Sequence, residues 1–179
     1  MSFRTRGLLF TAVLFVGAWA VASLAIAQGP DLKSSLDFIH SFVEQNGFYQ
    51  ISGPHGRFTS ERDRIVFKGC KVTVHVVSVV ANEPSYKKES VNFDILFSLK
   101  DMDPEVAASP KDLNGNSLPD NREWVILRAA NDSDSILVQS GSTSSSISAL
   151  PLQGGANHEE TQKLADAFHS AISLCSQGK

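Results

Sequence analysis

The pattern of apolar positions predicts a helix near each end of the chain, the first one after an apolar leader. In the segment 31–45 apolar residues recur at helical spacing, and Gly47 follows as a stop signal. This stripe consists of Leu32, Leu36, Ile39 and Val43. The segment 156–176 carries a second stripe, made of Leu164, Phe168, Ala171 or Ile172, and Cys175. We therefore expect Cys175 to face the core.

Between the helices, short apolar runs separated by turn residues predict strands. The most β-prone run is 70–80, and its first valines share one face with period two: Val72, Val74 and Val76. Val77 and Val79 fall on the other face, so either both faces are covered there or a bulge at Val76 and Val77 reverses the phase. The segment 91–99 alternates most regularly. The other predicted strands are 48–51, 57–59, 64–68, 124–130, 135–139 and, after a serine-rich link at 140–146, 147–152.

The order of these elements predicts an α+β fold. Turn signals follow one another too closely for crossover helices, so the six or seven strands form an antiparallel sheet. Two architectures fit this order. One is a barrel like that of pleckstrin-homology (PH) domains, closed by the C-terminal helix and extended by an N-terminal helix. The other is an open curved sheet with both helices on one face.

Residues 1–27 have the features of a secretory signal peptide. Arg4 and Arg6 precede an apolar core at 8–24, and Ala25-Ile26-Ala27 forms a small-residue cleavage site before Gln28. Because the apolar run is nearly long enough to span a bilayer, an uncleaved membrane anchor is the alternative. Cleavage after Ala27 would leave a single domain of residues 28–179, secreted or periplasmic in location.

The charge of the chain argues against two classes of partner. The whole chain has a formal net charge of −3, and loss of Arg4 and Arg6 with the leader lowers it to −5. A mildly acidic domain without a basic cluster is not typical of proteins that bind nucleic acid or anionic lipid. We therefore expect no nucleic-acid partner, and no membrane contact after cleavage.

Cys70 and Cys175 are the only cysteines, and both lie after the leader. An even number of cysteines in an exported chain predicts a disulfide. The bond would join the start of the central strand to the closing helix. Two buried free thiols are the alternative.

Four segments resemble parts of uncharacterised secreted bacterial proteins of PH-like or α+β type. In chain order they read CKVTV, FSLKDMDP, WVILRAAND and LADAFHSAISLC. Together they make up about a fifth of the part after the leader. This resemblance agrees with export and with the α+β class, and it implies no activity or binding residue.

The loop 112–123 locally resembles the calcium loops of EF-hand and thrombospondin type 3 repeats. Its oxygen-bearing side chains have calcium-loop spacing: Asp112, Asn114, Asn116, Asp120 and Glu123. Ser117 stands where such loops usually have glycine, and Lys111 and Arg122 would oppose a cation. The loop is therefore either a calcium site, calcium being the one cofactor that the sequence suggests, or a polar connection between two strands.

No catalytic constellation is visible in the sequence. His75, His158 and His169 lack the spacing of zinc ligands, so we interpret them as solvated or hydrogen-bonded histidines. No nucleophile elbow and no phosphate-binding glycine motif is present. The leading hypothesis is an exported, non-catalytic domain that binds a protein, a peptide or an apolar ligand. The alternatives are a calcium-stabilised structural module and a hydrolase whose site forms only in three dimensions.

Overall fold

A computed structural model describes residues 31–178 except 48–49, 54–55, 61–62, 83–86, 114, 116 and 119–122. Within these residues the chain forms two α-helices, two three-residue 3-10 helices and ten strands. The α-helices are α1 (Leu32–Asn46) and α2 (His158–Ser176). The strands are β1 (Gln50–Gly53), β2 (Gly56–Ser60), β3 (Arg64–Lys68), β4 (Lys71–Asn82), β5 (Lys87–Ser98), β6 (Ala108–Ser109), β7 (Trp124–Arg128), β8 (Ile136–Ser140), β9 (Thr143–Ile147) and β10 (Ala149–Gln153).

The strands form two antiparallel sheets. The larger has the order β1-β2-β4-β5-β8-β9, with β3 paired to β4 beyond the end of β2, and the smaller has the order β10-β7-β6. The predicted α+β class is thus confirmed, whereas the PH-like barrel is wrong. Closing the larger sheet would require β1 and β9 to pair, but the chain bends at Ser148 and continues as β10 in the other sheet.

The bulge that was one of the two alternatives for Val76 and Val77 does not occur in the pairing of β4 with β5. Their register is unbroken from Lys71 opposite Ser98 to Asn82 opposite Lys87. On the other side of β4 the pairing partner changes: β2 pairs as far as Ser78, and β3 pairs from His75 onward. The Asp63 carboxylate accepts a hydrogen bond from the Val77 N–H there, at 3.3 Å.

The larger sheet buries one face. Cross-strand neighbours share a face, and the buried rows pair Val72 with Phe97 and Val74 with Ile95. The helices pack against each other, and their apolar residues join the same core cluster. Phe168 of α2 is fully buried at its centre. The opposite face, which carries Thr73 and His75, is partly exposed.

The predicted disulfide is confirmed. Cys70, in the turn between β3 and β4, is bonded to Cys175 in the last turn of α2, with the Cα atoms 5.8 Å apart. The bond closes a sequence separation of 105 residues. It ties the larger sheet to the closing helix, as the orientation of the apolar stripe on α2 predicts.

The leader, residues 1–27, lies outside the described residues. No described helix is long and apolar enough to cross a bilayer.

The serine-rich segment expected to be a link is instead the edge strand β9, whose Thr143–Ser146 are exposed. Its side chains do not alternate in polarity, because neither of its faces is covered.

Candidate functional site

A groove with a volume of about 810 Å³ lies between α1 and β3. Its apolar part is formed by half-buried leucines of the helix and by the strand. The lining residues are Leu32, Lys33, Leu36, Asp37, His40, Arg64, Ile65, Val66 and Phe67. An apolar groove with a few polar groups at its rim is the usual form of a binding site.

The groove exists because the apolar stripe of α1 is wider than the part of the helix that packs on the core. Ile39 and Val43 are buried together with Phe42, as a helix lying on the core requires. Leu32 and Leu36 belong to the same predicted stripe, but they are only partly buried against the core. The first half of α1 therefore presents apolar surface to the groove.

Strand β3 forms the other wall, and it is an edge strand because within the described ranges it pairs only with β4. Lys68 and Lys71 close the two-residue turn between these strands, so their backbone groups point at each other. Backbone groups along a strand alternate in direction, so those of Ile65 and Phe67 point away from β4 and into the groove. The N–H and C=O of Phe67 have no hydrogen-bond partner in the described part of the chain.

His40 of α1 bridges the groove at one end. Its Nδ1 lies 3.0 Å from the carbonyl oxygen of Ile65, and its Nε2 lies 3.3 Å from Oε1 of Glu44. Because a carbonyl oxygen can only accept, Nδ1 is the donor of the first contact. The hydrogen bond from Nδ1 to the Ile65 carbonyl places His40 to hold α1 against the strand.

The charges around the groove do not balance. Lys33 and Asp37 form an ion pair on α1, and the hydrogen bond to the Asp37 carboxylate raises the pKa of Lys33. On the strand, Arg64 and Lys68 are exposed and take part in no ion pair formed by the described residues. The outer face of β3, beside the groove, therefore carries positive charge that no described ion pair compensates.

The predicted calcium ligands are only partly within the described residues: Asn114, Asn116 and Asp120 lie outside them. The backbone carbonyl of Asp112 accepts a hydrogen bond from the N–H of Gly115 at 3.1 Å. The Glu123 carboxylate is engaged by Nδ1 of His158, at 2.8 Å and 3.0 Å from its two oxygens. The described acids, histidines and cysteines form no group of three able to hold a metal ion.

The histidines that the sequence left unassigned are hydrogen-bonded. His75 contacts Asp94 across the exposed face of the larger sheet, with Nδ1 2.7 Å from Oδ1. His169 donates from Nδ1 to the carbonyl of Pro104 at 2.6 Å, and His158 contacts Glu123. The prediction of solvated or satisfied histidines is confirmed for all three. None of them lines the groove beside α1.

A second, smaller groove of about 270 Å³ lies between α1 and α2. Phe38, which is 39% exposed, lies at this groove on a different side of α1 from Leu36. The edge of β3 does not reach it, so it offers no strand edge to a ligand. Phe38 is a useful control position for Leu36, because both are incompletely buried apolar residues of α1.

Sequence reasoning identified neither His40 nor the outward backbone of Ile65 and Phe67 as site groups. Their role depends on which strand α1 packs beside, and the only local signal is the position of Leu32 and Leu36 at the margin of the apolar stripe. No family model, curated protein or solved structure matches the chain. The geometry of the groove is therefore the basis for a functional assignment.

Proposed function

We propose that this protein is an exported, non-catalytic binding domain whose groove between α1 and β3 takes up an extended segment of a partner protein. The observation that carries the proposal is the edge of β3. Ile65 and Phe67 direct backbone donors and acceptors into an apolar groove. Addition of a strand to such an edge is a common mode of peptide recognition.

The groove supplies both parts of this mode of recognition. The strand edge gives main-chain hydrogen bonds, which provide affinity for any extended segment. Leu32 and Leu36 give apolar contacts to alternate side chains, which provide selectivity. An exposed edge also invites unwanted pairing, and the cover that α1 provides restricts access to segments that fit beneath it.

Two observations support export. The leader has the charged, apolar and small-residue parts of a signal peptide. The bond between Cys70 and Cys175 is of a kind that persists in oxidising compartments and is rare in the cytosol. Intact-mass measurement of protein recovered from the periplasm or the medium would test this part. A full-length species held in the membrane would contradict it.

The binding function can be tested by selecting ligands from a displayed library of random twelve-residue peptides. The bait is the full chain in its oxidised form, processed as the cell exports it. We expect selected peptides to slow amide hydrogen exchange at Phe67, because its N–H becomes hydrogen-bonded. Protection confined to α2 or β9, or no selected peptide at all, would contradict the proposal.

A matched pair of substitutions locates the binding surface. Leu36→Gln makes the groove wall polar, whereas Phe38→Gln makes the same kind of change on another side of α1. We expect the first to weaken binding by about tenfold, since it removes one apolar contact of about 1–2 kcal/mol, and the second to leave binding unchanged. Circular dichroism of both variants checks that α1 remains folded.

A further inference from the structure

The geometry of the groove points to the class of segment that it prefers, an inference that rests on the proposed function. We propose a five-residue stretch that pairs antiparallel with β3 and reads acidic, apolar, β-branched, apolar, acidic. Its first residue lies opposite Lys68 and its fifth opposite Arg64. The assignment follows from the two faces of β3, which differ in chemistry.

The second and fourth residues of the segment face the groove. They lie opposite Phe67 and Ile65, whose side chains point to the core side of the sheet. Cross-strand neighbours share a face, so their side chains point toward Leu32 and Leu36 of α1. A polar side chain there would lose water without gaining a hydrogen bond, and therefore both positions favour apolar residues.

The first, third and fifth residues lie on the outer face. Their neighbours on β3 are Lys68, Val66 and Arg64. Val66 is 41% exposed between the two cations, and a β-branched residue opposite it would cover part of that surface. An acidic residue opposite each cation would place a carboxylate at cross-strand distance from it.

The positive charge on this face is unfavourable in the free protein. Lys68 lies directly opposite Lys71 on β4, and like charges in such a pair are destabilising. Neither lysine, nor Arg64, forms an ion pair with any residue that the structure describes. An acidic residue at the end of the ligand would relieve this repulsion, whereas a basic one would increase it.

The contact of His40 with Ile65 is compatible with this register. In antiparallel addition the outward N–H and C=O of Ile65 and Phe67 pair with the segment's fourth and second residues. The Ile65 carbonyl already accepts from His40 Nδ1, but a carbonyl oxygen has two lone pairs. His40 therefore takes one acceptor position of this carbonyl, and the second remains for the fourth residue of the segment.

Three peptides that differ only in their outer charges test the inference. Each is capped at both ends and carries one central sequence: Glu-Val-Thr-Val-Glu, Gln-Val-Thr-Val-Gln or Lys-Val-Thr-Val-Lys. Fluorescence titration of the oxidised full chain gives the three Kd values. We expect the acidic peptide to bind about three- to tenfold more tightly than the neutral one, from two exposed ion pairs, and the basic peptide to bind most weakly. Added salt should narrow these differences.

Reversal of the charges on the strand gives the sharpest control. The double variant Arg64→Glu, Lys68→Glu changes two exposed side chains and should invert the order of the three peptides. Lys111→Glu, an exposed change outside the groove, should keep the original order. Thermal melting of each variant confirms that the fold is retained.

The outcomes separate this inference from the proposed function. Equal Kd values with protection of the Phe67 amide would overturn the acidic preference and leave the groove as a general binder of strands. Failure of all three peptides would overturn the five-residue pattern, and the library selection would then show separately whether the groove takes any extended segment. The predicted order, together with its inversion in the double variant, would establish the ligand class.

Discussion

The two helices are attached to the sheets in different ways. Helix α2 buries residues along its whole length, from Thr161 to Cys175, and a disulfide fixes its last turn to the turn before β4. Helix α1 buries Ser35 and a cluster in its second half, and its first half borders a groove. It is held to β3 by side-chain packing and by the hydrogen bond of His40.

This difference indicates separate roles for the two helices, although both contribute to one core. A helix that is packed on several sides and covalently tied gives a fixed frame, whereas a helix with exposed apolar residues and no covalent link can adjust to a ligand. Binding segments in proteins commonly come from the less stable parts of the structure. We therefore expect perturbations of α2 to unfold the molecule and perturbations of α1 to change recognition.

The largest effect should come from Phe168→Ala. Phe168 is fully buried in the centre of the core, and truncation of such a residue costs about 3–5 kcal/mol of unfolding free energy. Phe38→Ala on α1 removes the same ring from a site that is 39% exposed, and it should cost less than about 1 kcal/mol. Urea unfolding of the two variants measures both. Equal losses would show that the helices contribute equally to the core.

Removal of the disulfide should come next. Cys70→Ala with Cys175→Ala should cost about 2–5 kcal/mol, because the unfolded chain regains the freedom of a long loop. The loss should be uneven along the chain. Amides from 164 to 174 should lose hydrogen-exchange protection more than those of α1, because the last turn of α2 is no longer tied. A uniform loss would indicate that the bond acts on the fold as a whole.

Removal of either helix cap should have a smaller effect on stability, and only the cap of α1 should also affect peptide binding. Asp31 Oδ1 accepts from Ser34 N at 2.7 Å, and Asn157 Oδ1 accepts from Glu160 N at 2.9 Å. Replacement of either cap by Ala should cost about 1 kcal/mol. Only Asp31→Ala should also weaken peptide binding, since it loosens the end of α1 that carries Leu32. If Asn157→Ala weakens binding to the same degree, the division between the helices is wrong.

The sequence predicts the elements of this fold better than their arrangement. Period and turn signals locate α1, α2 and the central strand, because each depends on neighbouring residues. The bond between Cys70 and Cys175 was predictable because the chain has only two cysteines. Strand β9 was missed because its serines are exposed on both faces, so its pairing with β8 leaves no alternation in the sequence.

The candidate site could not be predicted, for a related reason. In the sequence Leu36 and Ile39 belong to one apolar stripe. Only the packing of α1 beside β3 places Leu36 at the groove and Ile39 in the core. The free backbone of Phe67 has no sequence signal at all, because every residue has an N–H and a C=O except proline. Sites made from main chain therefore need the fold before they can be identified.

The smallest expected effect concerns the contact between Glu123 and His158, the first residue of α2. The His158 side chain is exposed and that of Glu123 is mostly buried, so their contact contributes little by itself, less than about 1 kcal/mol. Its value is as a test of the calcium hypothesis, because Glu123 is also a predicted ligand. We expect 1 mM calcium to leave the unfolding free energy unchanged, since a cation at Glu123 would have to displace the His158 imidazole from its carboxylate.

A calcium site of the affinity found in extracellular modules would behave differently. It would add about 0.4–1.4 kcal/mol at 1 mM calcium, and Asp112→Ala with Glu123→Ala would abolish the gain. His158→Ala separates the two interpretations further. If the cation and the imidazole compete for Glu123, this variant should gain more from calcium than the parent protein does, with magnesium as the control ion. If calcium affects neither protein, the loop 112–123 is a polar connection, and its Glu123 serves the start of α2 through His158 rather than a cation.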